Sequence, residues 1–229
     1  VLENFDTCQI EEPSWMPQAR KQAPGDPRLE ELVNGLDSYI DKKRRRYIHL
    51  IDGGVSDNLG VRSAYERVHI LGGAKQASKL LLGRAPSIIA MIVVNAQTHP
   101  DRPMDLSSKS PGTGAVLGAL TDTQLQRYNV ESIALMQSSL KQWSNELSTP
   151  DQTVTPYFIQ IDFESIADPE TRVLFNNVAT SLALPAEEVD NLVEAGHRLL
   201  RKSPEFHDLV THVRSMDKKV RASTAANLR

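Results

Sequence analysis

The sequence predicts an α/β fold, a mainly parallel sheet held between two layers of helices in a helix-sheet-helix arrangement. Three observations predict it. Ile88-Ile-Ala-Met-Ile-Val-Val94 is apolar at every position, the pattern of a strand covered on both faces in a parallel sheet. Segments with helical apolar spacing separate the strand candidates, which implies crossover connections. Two strand candidates run into polar, turn-rich loops, DGGVSDNLG at 52–60 and NAQTHPD at 95–101. A parallel sheet gathers its ligand-binding loops at such carboxyl ends.

Each element follows in chain order. Residues 1–27 carry Pro13, Pro17, Pro24, Gly25 and Pro27 and read as an irregular opening segment. Leu29, Leu32, Val33, Leu36 and Ile40 make residues 28–41 a helix that ends in the basic run Lys42, Lys43, Arg44, Arg45, Arg46. Tyr47 to Ile51 reads as a strand stopped by Asp52-Gly53-Gly54. A helix begins near Val61, breaks at Gly72-Gly73 and resumes to Leu82, ahead of the strand at Ile88. Residues 97–113 read as a long loop. Residues 114–147 read as one long helix with the core seam Ile133, Met136, Leu140, Trp143, Leu147.

Tyr157 to Ile161 is a third strand candidate. Asp168-Pro169-Glu170 opens a helix with an Asp cap and a first-turn proline. Leu184-Pro185 opens another, with Val189, Leu192, Val193, Leu199 and Leu200 inward. Ser203-Pro204-Glu205 opens the last, with Phe206, Leu209, Val210 and Val213 inward, and a polar tail follows from Lys218. The body thus spans 28–217, with no internal repeat and no linker. Three strands are few for such a sheet, and the first residue is not Met. We therefore expect this chain to be the C-terminal portion of one domain, with further strands upstream.

Composition narrows the function. The chain has 229 residues, 40% of them hydrophobic and 24% charged, in the globular range. A net charge of −3 argues against a nucleic-acid binder held by overall charge. One cysteine, Cys8, excludes an internal disulfide framework and a multi-cysteine zinc site, and it lies in no reactive-thiol motif. His207 and His212 are not spaced as a metal pair on one helical face, so we expect no metal and no cofactor. No apolar run approaches the roughly 20 residues that cross a bilayer as a helix.

The 52–60 loop is the most informative stretch. An Asp ends an apolar strand, and the two glycines let the chain turn sharply and let another group approach the carboxylate. The residues alone allow two readings, an ordinary strand-to-helix turn or a carboxylate presented for chemistry. Asp57 and Asn58 stand where either can cap the next helix. Asp52, Asp57 and Asn58 do not have the spacing of an EF-hand loop.

YIHLIDGGVSDNLGVR, residues 47–62, resembles the Asp-Gly-Gly/Ala block of the patatin-like phospholipases. The resemblance implies a patatin-like three-layer domain and a lipid acyl hydrolase working through a Ser-Asp dyad. It makes Asp52 the catalytic Asp, Gly53 and Gly54 its turn, and Asp57 and Asn58 the polar pair that follows. The family's G-x-S-x-G nucleophile elbow and glycine-rich oxyanion loop are absent from this chain, so both are expected upstream. Gly112-Thr113-Gly114 starts the long helix instead. Asn95 and His99, on the second loop, are candidates for the same pocket; a Ser-His-Asp triad would use such a histidine, whereas the dyad needs none. The basic run Lys42–Arg46 is either a peripheral contact with anionic lipid head groups or a solvated helix end. The rival reading is a noncatalytic α/β binding or scaffolding module of the same fold.

Overall fold

The computed structural model describes residues 1–4, 12–99, 103–181 and 183–227, so Cys8, Pro100 and Asp101 lie outside the described residues. The fold is mixed α/β with a small parallel sheet. Strand β1 (Leu2–Glu3) is followed by helices α1 (Met16–Gln22) and α2 (Pro27–Ile40). The opening segment is thus not irregular throughout. Pro17 sits in the first turn of α1, where a missing N–H costs nothing, and Met16 and Ala19 are buried. Asp26 caps α2 by accepting from the N–H groups of Arg28 (3.1 Å) and Leu29 (3.3 Å). Leu29 and Val33 then close a small core with Met16, Ala19 and Ala23.

Helix α2 stops at Ile40, and Lys42–Arg46 lie beyond it in a turn rather than forming its end. Asp41 breaks the helix, its carboxylate accepting from the backbone N–H of Arg44 at 3.2 Å. The guanidinium groups of Arg45 and Arg46 lie 4.9 and 5.6 Å from the ring centres of Tyr39 and Tyr47.

The predicted strand 47–51 is shorter than expected and pairs elsewhere. Strand β2 is Tyr47–Ile48 alone, antiparallel to β1. Leu50 and Ile51, which suggested a buried strand, are exposed. A short apolar run specifies extended backbone but not its partner. Helices α3 (Gly54–Asp57), α4 (Val61–Ile70) and α5 (Ala74–Leu82) follow, with the break at Gly72-Gly73 where both glycines take φ near +90°.

Strands β3 (Ile88–Asn95) and β4 (Thr155–Asp162) form the parallel pair, in register from Ile88 beside Thr155 to Asn95 beside Asp162. The 35-residue helix α6 (Thr113–Leu147) connects them. One face of the pair carries Ile89, Met91, Val93 and Phe158, packed on Val61 and Tyr65 of α4 and on Met136, Leu140 and Trp143 of α6. The end of α6 is tied to β4 by serines: Ser144 Oγ donates to Val154 O at 2.6 Å, and Ser148 Oγ accepts from Val154 N at 2.9 Å.

The other face is covered unevenly. Helices α8 (Ala186–Lys202) and α9 (Pro204–Asn227) pack on β4, where Tyr157 Oη meets His212 Nδ1 at 3.0 Å. Ile159 is 0% exposed. Beside it on β3, Ile92 and Val94 are 44% and 65% exposed. The apolar run is therefore buried on one face only, because the covering helices reach β4 and stop short of β3. Helix α7 (Pro169–Asn176), capped by Asp168, stacks Phe175 on Phe163 at 5.4 Å in a satellite core with Ile166 and Ala195. In α8 the predicted inward residues Val189 and Val193 are exposed and Ala195 is buried instead. Helix α9 continues through the predicted tail to Asn227. Among the described residues no helix is long and apolar enough to cross a membrane.

Candidate functional site at the carboxyl end of the parallel pair

Strand β3 ends at Asn95, whose Oδ1 accepts from the backbone N–H of Gln97 at 3.0 Å and turns the chain off the sheet. The segment it releases, Ala96 to His99, forms one wall of a cleft of about 930 Å³. Asn58 and Leu59 form a second wall, and Ala119, Asp122 and Gln126 of α6 a third. Three predicted site residues, Asn58, Asn95 and His99, thus meet around one cleft. The two loops converge as expected, although β2 lies outside the sheet of β3. Packing of α3 and α4 against α6, with Val61 in the same core as Val93 of β3, brings the first loop there. The backbone N–H of His99 donates to Asn176 Oδ1 at 3.1 Å, which fixes this loop to the end of α7.

Asp52 is exposed and is not part of the cleft wall. Its Oδ1 accepts from the N–H of Gly54 at 2.7 Å. A Cβ at Gly54 would stand 2.9 Å from Asp52 Oδ1 and 2.9 Å from Asn58 Oδ1. Glycine at 54 therefore lets the carboxylate and the Asn58 amide approach the same backbone. Gly53 is different: among the described residues a Cβ there would meet nothing within 4 Å, and its φ is −61°.

Asp57 serves the fold. It reaches over Gly60, whose φ of +67° lets the chain double back, and accepts from Arg62 N at 3.2 Å, Ser63 N at 2.9 Å and Ser63 Oγ at 2.9 Å. It thereby takes up backbone donors in the first turn of α4. Asn58 is left facing the cleft. Among the described residues no hydrogen bond joins Asp52 to His99, and none joins a hydroxyl to His99. Lys42–Arg46 are not among the lining residues. No group of three His, Cys, Asp or Glu among the described residues is placed to hold a metal ion.

Several polar residues of this end were not singled out from sequence. Arg62 stacks on Tyr128 of α6, 4.6 Å from the ring centre, and burial pushes the Tyr128 phenol pKa up. Asn129, one residue on, is buried and donates from Nδ2 to Gln97 Oε1 at 2.8 Å. No protein family, curated protein or solved structure matches this chain.

Proposed function

We propose that this chain is the distal part of a patatin-like serine lipid acyl hydrolase in which Asp52 serves as the base of a Ser-Asp dyad. The observation that carries the reading is the Asp52–Gly54 turn. A carboxylate follows an extended segment, is held through one oxygen by its own turn, and is otherwise open to an approaching group. Gly53 adds to it, because its φ suits any residue and, among the described residues, nothing fills the space beside it. A neighbouring backbone could come close there. The exposed apolar residues Ile51, Ile92 and Val94 are surfaces that further strands of a three-layer sheet would cover.

In this reading a serine outside the chain attacks a lipid ester. Asp52 takes or orients the hydroxyl proton, since a serine hydroxyl is a weak nucleophile at neutral pH. Backbone N–H groups outside the chain stabilise the oxyanion, and water releases the acyl group. In the basic run Lys42–Arg46, Lys43 to Arg46 are exposed and offer a contact for anionic head groups, while Lys42 is half-buried.

The test is Asp52→Asn in the whole protein that carries this chain, assayed on ester substrates with circular dichroism to check folding. The variant keeps the shape but loses the base, and kcat falls by orders of magnitude, as for other members of a nucleophilic unit. A folded, fully active Asp52→Asn protein overturns the assignment. A second reading, a noncatalytic binding module, is favoured by one observation: among the described residues Asp52 bonds only to its own turn and does not line the cleft. It requires the unaltered whole protein to show no esterase activity.

A further inference from the structure

Beside the large cleft, between the ends of β3 and β4 and the middle of α6, lies a second cavity of about 150 Å³. Asn129 lines it and is 2% exposed. Its Nδ2 is spent on Gln97, and its Oδ1 is buried with no hydrogen-bond partner among the described residues. A buried amide oxygen left without a donor is costly, and native structures supply the missing partner. Ser132 Oγ, one turn on, is also unpartnered, but a serine on a helix can turn to a carbonyl of its own helix, as Ser139 does to Leu135. Asn129 has no such route.

The walls define the partner. Among the described residues no Lys or Arg lines the cavity, which disfavours an anion. Its two carboxylates are already engaged. Asp162 accepts from Ser165 N, Ser165 Oγ and Gln160 Nε2, and Glu164 lies 3.7 Å from Arg172 and accepts weakly from Asn176. Three donors already fill the lone pairs of Asp162, and Glu164 is more than half exposed, so an ammonium group would find few buried acceptor positions here. The remaining polar lining is five carboxamides, from Asn95, Gln97, Gln126, Asn129 and Gln160, and the imidazole of His99, against the apolar flank of Val130, Ile133 and Phe163. Turning the Gln97 and Asn129 amides over together would leave Asn129 Nδ2 orphaned instead of Oδ1. A hydroxyl both donates and accepts, so it answers either arrangement. The space is several water molecules large. We infer that this cavity binds a small neutral polyol of about glycerol size, with one hydroxyl on Asn129 and a carbon face against Phe163. The inference is independent of the role given to Asp52.

The test is a titration of the ¹⁵N-labelled chain with glycerol, read from the side-chain amide signals of Asn129 and Gln97. Ethanolamine and inorganic phosphate are titrated in parallel. The expected result is a saturable shift with glycerol and binding at least about tenfold weaker for the other two, as one lost or mismatched hydrogen bond implies. Asn129→Leu, close in volume, and the surface variant Gln126→Ala should each weaken glycerol binding. Small linear shifts common to all three solutes would mean that the cavity holds water only and would overturn the proposal. Saturable binding of ethanolamine or phosphate at equal or higher affinity would overturn the ligand class. Full glycerol affinity in a folded Asn129→Leu chain would overturn the site.

Discussion

Ile159 and Ile92 sit side by side on the same face of the parallel pair, and truncating each measures how far the second helix layer extends. Ile→Ala removes three carbon atoms. At roughly 0.8 kcal/mol per buried methylene-sized group, full burial gives about 2.4 kcal/mol of lost transfer energy. At Ile159, 0% exposed beneath α8 and α9, the hole closes only in part, so the total should fall in the range of about 2–5 kcal/mol. Ile92 is 44% exposed, so little more than half of the transfer energy applies and no sealed cavity forms. Its loss should be about 1–1.5 kcal/mol. For a chain of this size each kcal/mol lowers Tm by roughly 2–4 °C. Urea denaturation followed by circular dichroism gives both values, provided the slopes m agree between variants. Runs at two protein concentrations exclude self-association as a cover for Ile92. Equal losses at the two positions, independent of concentration, would refute the half-covered sheet and mean that Ile92 is buried in solution.

Two further perturbations address the loops and the opening segment. Asp57→Ala removes the acceptor for Arg62 N and Ser63 N and should cost about 0.5–2 kcal/mol by urea denaturation, with Asp57→Asn much milder; a neutral Asp57→Ala would remove the capping role. The carboxyl of Asp26 is held below its ordinary range, first by its hydrogen bond to His69 and then by the N–H of Leu29. A depressed folded-state pKa gives stability that is present above the ordinary aspartate value near 4 and lost as pH falls through the lower folded value. Asp26→Asn retains a cap oxygen but cannot titrate, so it should flatten the acid limb of the urea midpoint plotted against pH. The change should be small, because both side chains are partly exposed. An unaltered acid limb would show that this carboxyl does not contribute.

The elements that sequence foretells best are those whose pattern reports burial directly. The seam Ile133-Met136-Leu140-Trp143-Leu147 gives α6, and the apolar runs give β3 and β4. Strand pairing is different, because it depends on what the rest of the chain offers. Tyr47–Ile51 reads as a central strand, yet only Tyr47 and Ile48 pair, and they pair with β1. Prolines mislead in the opening segment, where Pro17 permits α1 rather than breaking it. At the site, Asn58, Asn95 and His99 do share one cleft, but helix packing brings the first loop there, since β2 is not a strand of the β3 sheet. Asn129 is not legible, since a polar residue on a long helix reads as solvent-facing. The clue is that 129, 132, 136, 140, 143 and 147 continue the seam backwards through two polar positions. A reader who admits polar residues into a seam would find a buried amide there.

The wide sequence separation between β3 and β4 has a consequence for how the chain is made. Ile88–Val94 is uncharged, rich in β-branched residues and free of proline, the profile of a segment prone to intermolecular pairing. Its partner strand follows only after the whole of α6. At about 5–20 residues per second a ribosome needs several seconds to cover that interval. Throughout it β3 lacks the hydrogen bonds of β4, and until most of α6 is made it also lacks the side chains of Met136 and Leu140. The nearest restraints are Pro86, just ahead of the strand, and the cation of Arg84. Synthesis rate and chaperone supply, more than the stability of the finished fold, should therefore govern the soluble yield of this chain.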